Sequence, residues 1–85
     1  MYIILIKANK LGASRWVMKK FSVILKKLRK DRGISAKELA EKVGVHSSTI
    51  LTWEKGKGKP NLVKLIKLAD FFKIKLDQLI GLQDL

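Results

Sequence analysis

The 85-residue chain has no cysteine, and its longest uninterrupted apolar run is only six residues, Met1 and Tyr2 to Ile6. Without cysteine, neither a disulfide framework nor a thiolate metal site can support the fold. The apolar run is far shorter than the roughly 20 residues of a membrane span. It also lacks the basic leader and the small-residue cleavage site of a secretory signal. We therefore expect a cytoplasmic protein that does not bind membranes and whose stability comes from apolar packing.

Residues suited to catalysis are scarce as well. There is one histidine, there is no cysteine, and neither paired carboxylates nor a phosphate-binding glycine loop can be identified. The Gly56-x-Gly58 pair follows a predicted helix and lacks the preceding strand that such a loop requires. We predict no catalytic residue, no metal site and no cofactor.

Positive charge is what the chain has in excess. Nineteen lysines and arginines oppose seven acidic residues, which gives a net charge of +12. Such an excess indicates a polyanionic partner, and nucleic acid is the leading candidate because binding to phosphates releases counterions. The alternative is that the lysines only keep a small protein soluble, and composition alone does not decide between the two.

Apolar residues recur at helical spacing over residues 21–32, with lysines on the other side of the helix. Gly33 ends this first helix, as glycine commonly does. The apolar stripe can be extended backwards through Val17, so the helix begins either near Ser14 or at Phe21.

Two short helices are predicted next. Ser35 opens the second helix and forms a Ser-x-x-Glu capping box with Glu38. Gly44 ends it, because glycine adopts the left-handed backbone conformation without a steric penalty. The third helix runs from about Ser47 to Lys55 and stops at Gly56.

A basic loop and two further helices are predicted for the last third of the chain. Residues 55–60 form the loop, and Asn61 is a good N-cap for a fourth helix. A short fifth helix spans residues 76–80. The inward side of the fourth helix is predicted to carry Leu62, Leu65, Leu68, Ala69 and Phe72. The predicted fold is all-α, with five helices.

The second and third helices have the features of a helix-turn-helix. Ala40 is small enough to allow a close helix crossing, and Gly44 permits the sharp reversal between the helices. Ile50 and Trp53 lie on one side of the third helix and are assigned to the core. The opposite side carries Ser47, Ser48, Leu51, Thr52 and Lys55, which suit base edges and phosphates rather than burial.

With these features, the segment from about residue 25 to 80 resembles the Cro/repressor (Xre-like) helix-turn-helix family. The matching marks are Leu28-Arg29, Gly33, Leu39-Ala40-Glu41, Val43-Gly44-Val45, Ile50, Trp53-Glu54-Lys55-Gly56, Lys59-Pro60 and Leu68-Ala69. The resemblance implies a lambda-repressor-like domain of five helices. It also implies that the third helix lies in the major groove of double-stranded DNA, usually as a homodimer on a palindromic operator.

The resemblance further implies roles for particular residues. Arg29 and Glu54 match a structural ion pair between the first and third helices. Two departures from the family pattern stand out. Alanine replaces a common glutamine at Ala36, which leaves phosphate contacts to backbone amides and nearby lysines. Histidine replaces the usual serine or threonine cap at His46, so either Ser47 caps the third helix or His46 contacts DNA.

Candidate DNA contacts fall into two groups. The predicted base contacts are Ser47, Ser48 and Thr52, with His46 and Leu51 secondary. None of them is the bidentate side chain that would identify a particular base. The alternative for the two serines is helix capping. The predicted phosphate contacts are Lys37, Lys55, Lys57 and Lys59.

We divide the chain into an N-terminal extension or arm (1–20, partly helical from residue 14), the DNA-binding domain (21–81) and a tail (82–85). Met18 is an alternative start of the protein, in which case residues 1–17 are an upstream extension. The C-terminal apolar residues either supply a dimer contact or complete the core: Leu76, Leu79, Ile80, Leu82 and Leu85.

The predicted function is a sequence-specific transcriptional regulator, with repression the expected mode and a protein partner a possible means of control. The alternative is an antitoxin-like protein-interaction module. A stable complex with another protein would support this alternative.

Overall fold

The computed structural model describes residues 13–85, with side chains from residue 20 onwards. In this range the fold is all-α, as predicted, and contains no strand. The five helices are α1 (Ala13–Asp31), α2 (Ala36–Val43), α3 (Ser47–Glu54), α4 (Leu62–Phe72) and α5 (Leu76–Leu79). Residues 1–12 lie outside the described range, so the predicted arm is described only in its helical part. No helix in the described range is long and apolar enough to cross a membrane.

The ends of α2 follow from local sequence. The Glu38 backbone N–H donates to the Ser35 hydroxyl at 3.0 Å, and the Ser35 N–H donates to the Glu38 carboxylate at 3.2 Å. At the other end Gly44 is left-handed, with φ 75°, and its N–H donates to the Ala40 carbonyl. The predicted capping box and glycine stop are both confirmed.

All five helices contribute to one apolar core. Trp53 is only 5% exposed, which confirms its predicted place in the core, and Leu79 of α5 is fully buried. Leu79 is therefore unavailable as a dimer contact, whereas Leu85 is exposed. The buried apolar residues are Phe21, Leu25, Leu39, Ala40, Val43, Ile50, Trp53, Leu68, Ala69, Phe72 and Leu79.

Helix α4 begins at the predicted cap, where the Asn61 side chain accepts the Lys64 backbone N–H at 2.9 Å. Its inward side was predicted correctly except at Leu62, which is 61% exposed. At 100° per residue, Leu62 lies roughly 70° from the centre of the buried arc. It also lies in the first turn, so it sits at the edge of the apolar stripe and is not covered by the core.

Candidate nucleic-acid interface

The outward face of α3 is open to solvent. Burial of Ile50 and Trp53 sets the rotation of the helix about its own axis. That rotation turns the predicted base-contact residues outward, and all of them are exposed: His46, Ser47, Ser48, Leu51 and Thr52. The structure therefore brings together on one surface the residues predicted from the sequence.

His46 occupies the N-cap position of α3. Its backbone is extended, with φ −82° and ψ 153°, and its side chain makes no capping hydrogen bond. The His46 carbonyl accepts the backbone N–H groups of Thr49 and Ile50 at 3.0 and 3.4 Å. The alternative that Ser47 caps the helix is wrong, because Ser47 is already its first helical residue.

The three hydroxyls on this face are not equivalent. The Thr52 hydroxyl donates to the Ser48 carbonyl at 2.8 Å, so its proton is engaged and only its lone pairs remain available. None of the side-chain hydrogen bonds among residues 20–85 involves the hydroxyl of Ser47 or Ser48. These two serines are therefore free to donate or accept toward a ligand, while Thr52 can only accept.

The basic loop after α3 is anchored to the helix. Gly56 is left-handed, with φ 73°. Its N–H donates to the Trp53 carbonyl, and the Lys57 N–H donates to the Thr52 carbonyl at 3.1 Å, which together form a Schellman motif. Pro60 is buried, whereas the side chains of Lys55, Lys57 and Lys59 are exposed. Three cations thus project from a loop whose backbone is held against α3.

The segment from residue 42 to residue 69 is strongly positive. Residues 42–69 contain six lysines and a single acidic residue, Glu54. The Glu54 side chain is only 4% exposed and is paired with Arg29, so almost no negative charge reaches the surface of this segment. Lys37, in the first turn of α2, is also exposed. The electrostatic field favours a polyanion.

Arg29 joins three parts of the chain. Its Nε donates to Glu54 Oε2 at 2.6 Å, and its Nη2 donates to Glu54 Oε1 at 2.9 Å. The third bond runs from Nη1 to the Ile34 carbonyl at 3.1 Å. The hydrogen bond to Glu54 raises the pKa of the Arg29 guanidinium, so this cation stays charged. The bidentate geometry connects the end of α1 to the end of α3.

Sequence reasoning missed two polar contacts that position the helices. Lys64 Nζ of α4 donates to the Val43 carbonyl at 3.2 Å, at the turn between α2 and α3. Arg32 donates to the Phe72 carbonyl at 2.9 Å and lies over the Phe72 ring. No local signal marks either contact, because the partners are 21 and 40 residues apart in the chain.

Comparison with known proteins places this geometry among helix-turn-helix folds. A helix-turn-helix family model (HTH_3) matches residues 25–79, from the second half of α1 to the end of α5. The restriction-modification controller protein C.AhdI from Aeromonas hydrophila has a similar crystal structure. Its TM-score is 0.67 at 32% identity, covering 73% of this chain and 94% of that one.

Two curated relatives differ in the sign of the regulation that their names state. The HTH-type transcriptional activator BcrR of Enterococcus faecalis is 34% identical over 65 residues, 76% of this chain and 32% of that protein. The cryptic phage CTXphi transcriptional repressor RstR of Vibrio cholerae is 35% identical over 61 residues, 72% of this chain and 55% of that protein. The matched segment thus spans about a third to about half of these relatives.

Proposed function

The chain belongs to the Cro/repressor-type helix-turn-helix family, and we propose that it is a sequence-specific regulator of transcription that inserts α3 into the major groove of duplex DNA. The observation that carries this proposal is the exposed polar face of α3, flanked by lysines. The major groove is about 12 Å wide and admits an α-helix with its side chains.

Base readout would rest mainly on hydroxyls. Ser47 and Ser48 would donate to or accept from base edges, and Thr52 would accept, because its proton is bound to the Ser48 carbonyl. Leu51, which is 43% exposed, would pack on a thymine methyl group. Hydroxyls discriminate weakly between bases, so we expect sequence-dependent DNA shape to contribute to specificity.

Affinity would come from the phosphates. Lys55, Lys57 and Lys59 project from the anchored loop, and Lys37 from the start of α2. Phosphate contacts fix the register of the protein on the duplex but carry no sequence information. The near absence of exposed acid in residues 42–69 supports this role for the three loop lysines, because a carboxylate beside them would repel the DNA backbone.

We further propose that the protein is a cytoplasmic repressor, without catalytic activity, that binds a palindromic operator as a homodimer. Repression requires only that a promoter be occupied, whereas activation needs a second surface for the polymerase. RstR is named as a repressor, which agrees with repression by this chain. BcrR is named as an activator, which argues for the opposite mode of regulation. A two-fold operator follows from the usual docking of helix-turn-helix dimers.

Selection of bound sequences from a random duplex pool tests the proposal. We expect a palindrome with half-sites about one helical turn apart. A Ser47→Ala/Ser48→Ala variant is the matched control, because it keeps every charge and should lose the enriched motif while retaining nonspecific binding. If no motif is enriched at moderate salt, the proposal fails, and purification of a stable heterocomplex would then identify an interaction module.

A further inference from the structure

Helix α4 contacts the turn between α2 and α3 through the side chain of Lys64. Its Nζ lies 3.2 Å from the Val43 carbonyl and 3.5 Å from the Gly44 carbonyl. A Cβ built on Gly44 would lie 3.7 Å from the same nitrogen, so the ammonium group sits directly over this glycine. The side chain is half-buried.

The position of this ammonium group matches an electrostatic requirement of the turn. The last carbonyls of a helix lack donors within the helix and carry the negative end of its dipole. At the end of α2, the N–H groups of Gly44 and Val45 both donate to Ala40. The carbonyls of Val43 and Gly44 point to Lys64 instead, and an ammonium group has enough donors for both.

This turn sets the direction of α3. Only three residues, 44–46, separate α2 from α3, so the backbone conformation of this short turn contributes directly to the angle between the two helices. The far end of α3 is held by Arg29 through Glu54. Cationic side chains from two neighbouring helices therefore hold the turn before α3 and the C-terminal end of α3.

We propose that Lys64 is a positioning residue, which sets the angle of α3 by binding the carbonyls of the turn and thereby determines sequence selectivity. The effect of Lys64 on sequence selectivity rests on the proposed function, because it requires that α3 contacts DNA bases. The alternative role for Lys64 is a direct contact with a DNA phosphate. Loss of a phosphate contact weakens binding to every duplex alike, whereas a misdirected α3 weakens binding to the operator most.

The test compares Lys64→Met with Lys67→Met, which removes the same charge from an exposed position on the same helix. Affinity is measured for the selected operator and for a random duplex at the same salt concentration. We expect Lys64→Met to lose about tenfold more operator affinity than Lys67→Met, as expected for one charge-assisted hydrogen bond. Random-duplex affinity should fall equally in both, and Lys64→Arg should restore most of the operator affinity.

A second readout does not involve DNA. Residual dipolar couplings of the free protein report the orientation of α3 relative to α2, which should change in Lys64→Met and not in Lys67→Met. If Lys64→Met does not fold, Lys64→Gln, which keeps a donor without the charge, replaces it. Equal losses on both duplexes with unchanged couplings would overturn the proposal in favour of a phosphate contact. If wild type selects no operator, the proposed function fails, and the couplings still decide whether Lys64 orients α3.

Discussion

Arg29 of α1 and Glu54 of α3 form a bidentate ion pair, with hydrogen bonds of 2.6 and 2.9 Å. The pair fixes the C-terminal end of α3, and it withdraws the single acidic side chain of residues 42–69 from the surface. A buried ion pair is weak evidence for added stability, because desolvation offsets much of the attraction. Its value here is to orient α3 and to keep negative charge away from the proposed DNA-binding surface.

Removal of Arg29 alone should be strongly destabilising. In Arg29→Met the buried Glu54 carboxylate loses its partner, and we expect the free energy of unfolding to fall by about 3 kcal/mol. Urea denaturation measures this loss as a lower midpoint at constant slope.

The control for this prediction is the double variant Arg29→Met/Glu54→Leu, which removes both charges. It should recover much of the stability, because no unpaired charge remains buried. If the loss in the double variant equals the sum of the losses in Arg29→Met and Glu54→Leu, the two residues are not coupled.

Charge reversal in the basic loop should weaken binding to all duplexes. For Lys57→Glu we expect lower affinity for operator and random DNA alike, and a salt dependence shallower by about one unit of log–log slope. Titrations at several salt concentrations measure both quantities. Lys30→Glu, an exposed site on α1, makes the same charge change outside the proposed surface and should have a smaller effect. Loss of preference for one site, with nonspecific affinity unchanged, would contradict a phosphate contact.

Ser48→Ala should change which sequence is preferred. If the free hydroxyl reads a base, we expect discrimination at one base pair to fall by roughly 1–3 kcal/mol. Competition between the operator and single-substitution duplexes measures this quantity. Ser48 is the second residue of α3 and is not its N-cap, which is His46, so stability should change little. Unchanged discrimination at every position would remove Ser48 from the set of base contacts.

His46→Ser should stabilise the protein. The residue has the extended backbone of an N-cap but makes no side-chain capping bond, and a serine there would accept a backbone N–H of the first turn. We expect the free energy of unfolding to rise by about 1 kcal/mol, measured by urea denaturation. No gain would mean that the serine does not cap α3. The operator affinity of the same variant tests the predicted contact between His46 and DNA. If His46 makes this contact, His46→Ser should bind the operator more weakly than the wild type.

Local features of the fold were predictable because their physics spans only a few residues. The Ser35–Glu38 capping box and the stop at Gly44 depend on contacts within one or two turns, and both are present. The rotation of α3 followed from the spacing of Ile50 and Trp53, which are buried. The pairing of Arg29 with Glu54, in contrast, was expected only from the family resemblance.

By itself, the sequence determined the five helices, their ends except the start of α1, and the exposed hydroxyl face of α3, since periodicity and capping act over short distances along the chain. The start of α1 was left open between Ser14 and Phe21, and the structure places it at Ala13. Only the tertiary structure decided that Leu62 is uncovered and that the Lys64 ammonium group binds the turn before α3. The physical reason is that burial at the edge of an apolar stripe depends on whether another helix lies over it. Likewise, a lysine that has no local partner can reach carbonyls 21 residues away only once the helices have packed.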